Sequence, residues 1–133
     1  MSQTYLMIKP ELVAAQTIGE ILAMLTANRF RITGLEMKRL TDEQVRAFYA
    51  EHQGKGFYGD LVAYITSGPI VAVRLEKDNA VKDLRLLVGA TNPAEAAPGT
   101  IRYLYGKSLQ TNGVHASDSD PSAARELGIV FGA

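Results

Sequence analysis

The run Ile70-Val71-Ala72-Val73-Arg74-Leu75, set off by Ser67-Gly68-Pro69, limits the folds open to this chain more than any other stretch. It is short, apolar and rich in β-branched side chains, which suits a buried strand. It falls far below the roughly 20 residues that a membrane-spanning helix needs. A buried strand requires neighbours on its edges and cover on its faces. Thr4-Tyr5-Leu6-Met7-Ile8 reads as a second apolar strand, stopped at Lys9-Pro10 because proline gives up a ladder donor. Residues 31–40 alternate, with Ile32, Gly34, Glu36 and Lys38 set against Thr33, Leu35, Met37 and Arg39, as in a half-buried strand.

The cover comes from helices. Thr17-Ile18-Gly19-Glu20 and Thr41-Asp42-Glu43-Gln44 both match the capping-box pattern. After the first, Ile18, Ile21, Leu22 and Leu25 fall at helical spacing and predict a helix over 17–28. After the second, Val45, Phe48 and Tyr49 share a face. Leu61, Tyr64 and Ile65 predict a short helix ended at Ser67-Gly68-Pro69, and Val81, Leu84 and Val88 predict another stopped by Gly89. Residues 90–112 show little periodicity and carry Asn92-Pro93, Pro98-Gly99 and Asn112-Gly113, so they read as a long loop of the functional or disordered kind. Asp120-Pro121 offers an N-cap and a first-turn proline for a C-terminal helix near 121–128, after a short strand. About four strands alternating with helices point to an α+β fold. The expectation is a ferredoxin-like α/β sandwich, a four-stranded antiparallel sheet covered by helices. Length and even composition suggest one domain over residues 1–133.

Charge and composition exclude several functions. Lys plus Arg and Asp plus Glu number 14 each, so the net charge is zero, against a nucleic-acid footprint or a polybasic membrane anchor. Cysteine is absent, which removes thiol nucleophiles and thiolate metal sites. Histidine occurs only at His52 and His115, too few for a multi-histidine zinc centre. The first residues lack a basic segment followed by a long apolar one, so no signal peptide is expected and the cytoplasm is the default compartment.

What chemistry remains gathers near His115. Asn112 precedes it, Ser117 follows it, and Glu126 lies on the next helix. A carboxylate or hydroxyl bonded to one imidazole nitrogen leaves the other free as base or nucleophile. Lys9, Arg85 and Arg102 with threonine hydroxyls could bind a polyphosphate, since guanidinium forks match phosphate oxygens. Scattered surface charge is the plainer reading of those three. His52 reads as a surface residue. Gly54-Lys55-Gly56-Phe57-Tyr58-Gly59 matches a dinucleotide fingerprint in letters only, because a helix rather than a strand precedes it. Residue types and spacing alone leave three classes open: a phosphotransferase, a nucleotide or amino-acid sensor, and an oligomeric scaffold or phosphodonor.

Five segments, in order and with matching spacing, resemble the nucleoside diphosphate kinase family over about Tyr5 to Phe131. They are Met7-Ile8-Lys9-Pro10, Thr66-Ser67-Gly68-Pro69, Gly89-Ala90-Thr91-Asn92-Pro93, Pro98-Gly99-Thr100-Ile101-Arg102 and Asn112-Gly113-Val114-His115-Ala116-Ser117-Asp118-Ser119. The resemblance implies Mg²⁺-dependent, ping-pong transfer of a γ-phosphate between nucleoside tri- and diphosphates, through a phosphohistidine at His115. It implies that Glu126, with Ser117, orients the ring, and that Lys9 and Asn112 contact the sugar hydroxyl. Lys9 and Tyr49 would lie near the transferred phosphate, Arg85, Thr91 and Arg102 would hold phosphates, and Phe57 would stack on the base. Mg²⁺ would be held mainly by phosphate oxygens, with Asp118 reaching it through water. A homo-oligomer is implied, without a count among hexamer, tetramer and dimer. Three positions depart from the family's common pattern: Ala116 replaces glycine, Gly56 replaces proline, and Tyr103-Leu104 lacks an acidic residue.

Overall fold

The computed structural model describes residues 1–132. Its sheet holds β1 (Ser2–Ile8), β2 (Arg31–Lys38), β3 (Ile70–Lys77) and β4 (Val114–Ala116) in the order β2-β3-β1-β4, with every pairing antiparallel. This is the expected ferredoxin-like sheet. Alternate residues of a strand point to opposite faces, and β1 uses both. Leu6 and Ile8 join Val71, Val73 and Leu75 of β3 under Ile21 and Leu25 of α2 (Ile18–Ala27) and Leu84 and Val88 of α5 (Ala80–Val88). Tyr5 and Met7 face the other way. They pack with Ile70 and Ala72 against α3 (Asp42–Phe48), α4 (Tyr58–Ile65) and α7 (Asp120–Phe131). Helices therefore cover both faces.

The second capping box forms: the Thr41 hydroxyl accepts from the Gln44 amide at 3.0 Å, and Gln44 Oε1 accepts from the Thr41 amide at 2.9 Å. The first does not. Thr17 donates its hydroxyl to the Leu12 carbonyl at 3.1 Å, an oxygen that also accepts from the Thr17 amide at 3.2 Å just after a short helix, α1 (Pro10–Ala14), ends. The proline that stops β1 is also the first residue of α1, where its missing amide proton costs nothing.

Three further expectations are corrected. β2 is an edge strand with an irregularity between Ile32 and Gly34, and it has no buried residue. Leu35 and Met37, the large apolar residues of one face, stand 50% and 60% exposed. Residues 90–112 are not all loop: they hold a 3₁₀ turn at Pro93–Glu95 and α6 (Ile101–Tyr105), an element too short to show a period. The helix α7 runs to Phe131, past the expected end, and its cap is Ser119, whose hydroxyl accepts from the Ser122 amide at 3.1 Å; Asp120 is already helical.

Candidate active site

His115 occupies the middle of β4, opposite Met7 of β1. Directly paired residues share a face, so its ring turns toward α3 and α7. It meets Phe48 edge-on with centroids 5.0 Å apart, and the rings of Tyr5 and Tyr49 lie at 6.1 and 6.4 Å. Glu126 comes from α7, buried. Its Oε1 sits 2.9 Å from His115 Nε2 and accepts a second bond, at 2.6 Å, from the Ser117 hydroxyl. A carboxylate on Nε2 places the ring proton there and leaves a lone pair on Nδ1. Among the described residues Nδ1 has no hydrogen-bond partner.

The Lys9 ammonium, buried at the end of β1, donates to Asn112 Oδ1 at 2.8 Å, and Asn112 Nδ2 donates to the Thr91 carbonyl at 3.2 Å. Burial, with Arg102 nearby, pushes the Lys9 pKa down to about 8. Arg102 of α6 donates to the carbonyls of Gly89 and Val114, both at 3.0 Å, joining the end of α5 to β4. Burial and the neighbouring Arg85 lower its pKa to about 10, so it stays cationic at neutral pH. Arg85 reaches toward the Ala116 carbonyl at 3.5 Å. Arg85, Thr91 and Asp118 line one open groove of about 1220 Å³, whose lining does not include Lys9, Phe57, Asn112 or His115. Hydrogen bonds from Ser122 and Ser119, with Arg85 nearby, hold the Asp118 carboxyl below its ordinary range.

Phe57, 46% exposed, opens α4 away from this cluster. His52 lies between the two: its ring stacks on Tyr49 at 6.1 Å and meets Phe57 at 5.3 Å. It is half-buried and packed, contrary to the surface position expected of it.

A nucleoside diphosphate kinase model matches residues 2–133. The chain is 36% identical to the nucleoside diphosphate kinase of Aquifex aeolicus, with a TM-score of 0.95 over 98% of this chain and 94% of that one. It is 38% identical to the Halobacterium salinarum enzyme solved in complex with CDP, with a TM-score of 0.95 over 98% and 87% of the two chains. A nucleoside diphosphate kinase family protein of Babesia bovis gives 39% identity and a TM-score of 0.95 over 98% and 88%. The chain belongs to the nucleoside diphosphate kinase family. Its activity is nucleoside diphosphate kinase activity, a phosphoryl transfer between nucleotides.

Within that family, the alanine of this chain's His115-Ala116 pair costs no backbone strain. Ala116 is a strand residue and is not among those with positive φ. The left-handed residue in this turn is Gly113, at φ 89°, where an added Cβ would come within 2.8 Å of Leu12 Cδ1. Gly56 has open space where a side chain would stand. Two residues at the cluster carry no sequence signal of a place there. Glu11 and Tyr64 share a hydrogen bond, and the Gly113 amide donates to the second Glu11 oxygen at 3.1 Å. Their meeting depends on α1, which no periodicity announces.

Proposed function

We propose that His115 is the nucleophile of a ping-pong reaction in a single kinase domain spanning residues 1–133. Nδ1 attacks the γ-phosphorus of a nucleoside triphosphate, the bond from that phosphorus to the β-γ bridging oxygen breaks, and the nucleoside diphosphate leaves. A second diphosphate then attacks the phosphohistidine with a terminal oxygen, the N–P bond breaks, and the triphosphate is released. The observation that carries this reading is the Glu126 carboxylate on Nε2, itself fixed by Ser117, with Nδ1 unbonded. Glu126 also stabilises the positive charge the ring gains as the N–P bond forms.

Lys9, Arg85 and Arg102 offset the phosphate charge, and phosphoryl transfer depends mainly on such positioning and neutralisation. Burial, together with the Glu126 charge, raises the Tyr49 pKa well above its ordinary value, so its hydroxyl stays a neutral donor toward the transferred group. Asn112 and Lys9 hold the sugar hydroxyl, Thr91 binds phosphate with the arginines, and Phe57 stacks on the base without selecting among bases. Among the described residues no three potential metal ligands cluster. The ionised Asp118 beside Arg85 suits a hydrated Mg²⁺ carried in by the nucleotide, which would supply further neutralisation of phosphate charge. The cytoplasm is the proposed compartment, and no helix among the described residues is long and apolar enough to cross a membrane. The exposed Leu35 and Met37 on edge strand β2 support a homo-oligomer.

Incubation with γ-labelled ATP and Mg²⁺, without acceptor, tests the route. The protein gains one acid-labile phosphate by intact mass, GDP removes it, and His115→Ala binds nucleotide but gains none. A His115→Ala protein that still takes up labelled phosphate refutes the assignment.

A further inference from the structure

Glu11 lies in the first turn of α1, where an acidic side chain ordinarily does no more than face solvent and favour the helix dipole. Here both of its oxygens are engaged by other segments. The Tyr64 hydroxyl of α4 donates to one, and the Gly113 amide, two residues before His115, donates to the other at 3.1 Å. Gly113 is held from its other side too, since its carbonyl accepts from the Lys9 amide at 2.9 Å. The Lys9 ammonium sits 5.5 Å from the centre of the Tyr64 ring and 2.8 Å from Asn112 Oδ1.

We propose that Glu11 is a positioning residue for phosphoryl transfer: its carboxylate spans Tyr64 and the Gly113 amide, so that the Lys9 ammonium and the turn leading to His115 are held as one unit. This rests on the reading of Lys9 as a phosphate-facing cation. Three ionisable groups face Lys9: Glu11 from α1, Arg102 from α6 and Tyr64 from α4, with Asn112 as its neutral partner. Burial and Arg102 favour the neutral amine, while Glu11 favours the charged one. Removing the Glu11 charge while keeping its shape therefore moves proton loss at Lys9 to lower pH. A role confined to packing leaves the pH profile in place.

The test is the pH profile of kcat/KM for ATP with CDP as acceptor, bases that do not titrate in the alkaline range. The profile of kcat/KM reports groups of the free enzyme. The wild type loses activity above about pH 8 as Lys9 deprotonates. In Glu11→Gln the fall comes earlier by roughly one pH unit, a roughly fivefold loss near pH 8 against less than about twofold near pH 6. Glu11→Ala, which also frees the Gly113 amide, loses activity at every pH. Lys9→Arg, a cation that does not titrate in this range, has no alkaline fall. An alkaline fall absent in Lys9→Arg but unmoved in Glu11→Gln overturns the role of Glu11 alone. An alkaline fall that survives Lys9→Arg overturns the reading of Lys9 and the role of Glu11 with it.

Discussion

Stripping water from an ammonium group is expensive, and at Lys9 the expense shows as a pKa near 8 instead of 10.5. Above about pH 8 the folded chain gives up this proton while the unfolded chain keeps it up to the ordinary lysine range near ~10.4. Lys9 therefore penalises the native state most at neutral pH, and the penalty fades as pH rises through that window. Lys9→Met is expected to raise stability by about 1–3 kcal/mol at neutral pH, the upper figure reduced because Asn112 loses a partner. Activity falls by orders of magnitude in the same variant. Urea melts of both proteins check this, and the stability gap should narrow between about pH 8 and ~10. A variant less stable than wild type at neutral pH contradicts the argument. His115 and Glu126 stood out in the sequence by residue type and spacing, whereas Lys9, Arg85 and Arg102 read as scattered surface charge until the resemblance to the family singled them out. Glu11 was not legible there, since a carboxylate in a first helical turn is common and its value here depends on where α4 and the Gly113 turn arrive in space.

Elements were legible where they are long enough to repeat a pattern. The strands β1 and β3 and the helices α2 and α5 announce themselves by apolar spacing, and Thr41 with Gln44 predicts the start of α3 to the residue. The short helices α1 and α6 have five residues each, little more than one turn, so neither shows a period. At Thr17 the local pattern was outcompeted by the Leu12 carbonyl, which takes both the hydroxyl and the amide of Thr17. The turn before α4 carries a change that belongs to this scale. Gly56 is not among the glycines with positive φ, and a Cβ there meets nothing within 4 Å. The glycine thus loosens the unfolded chain and the Phe57 approach without any conformational need. Gly56→Ala is expected to add about 0.4–1 kcal/mol of stability. Nucleotide KM should fall and kcat stay unchanged, as calorimetry and steady-state rates will show. An unchanged or lowered melting temperature means that the turn needs glycine after all.

Across the whole molecule the site draws on residues from Lys9 to Glu126, brought together by a sheet in which β1 stands between β3 and β4. A four-stranded antiparallel sheet could be anticipated from the alternation of strands with helices. The coverage of both faces could not, because it depends on how α3, α4 and α7 divide the apolar residues of one side among themselves. The strand that carries His115 is the smallest piece of this sheet. β4 has three residues, ends the sheet, and is paired to β1 alone. Such a segment opens by local fluctuation at a lower free energy than the strands beside it. Amide hydrogens of residues 114–116 should therefore exchange with solvent faster than those of β1 and β3. In rising urea, catalysis should fade at a lower concentration than the loss of bulk helical signal, and return fully on dilution. Coincident midpoints, or equal protection across the sheet, would show β4 to be as firmly seated as its neighbours. The residue proposed to carry the phosphoryl group thus rides on the shortest strand of the sheet, and the chemistry is expected to switch off in a protein that is still folded.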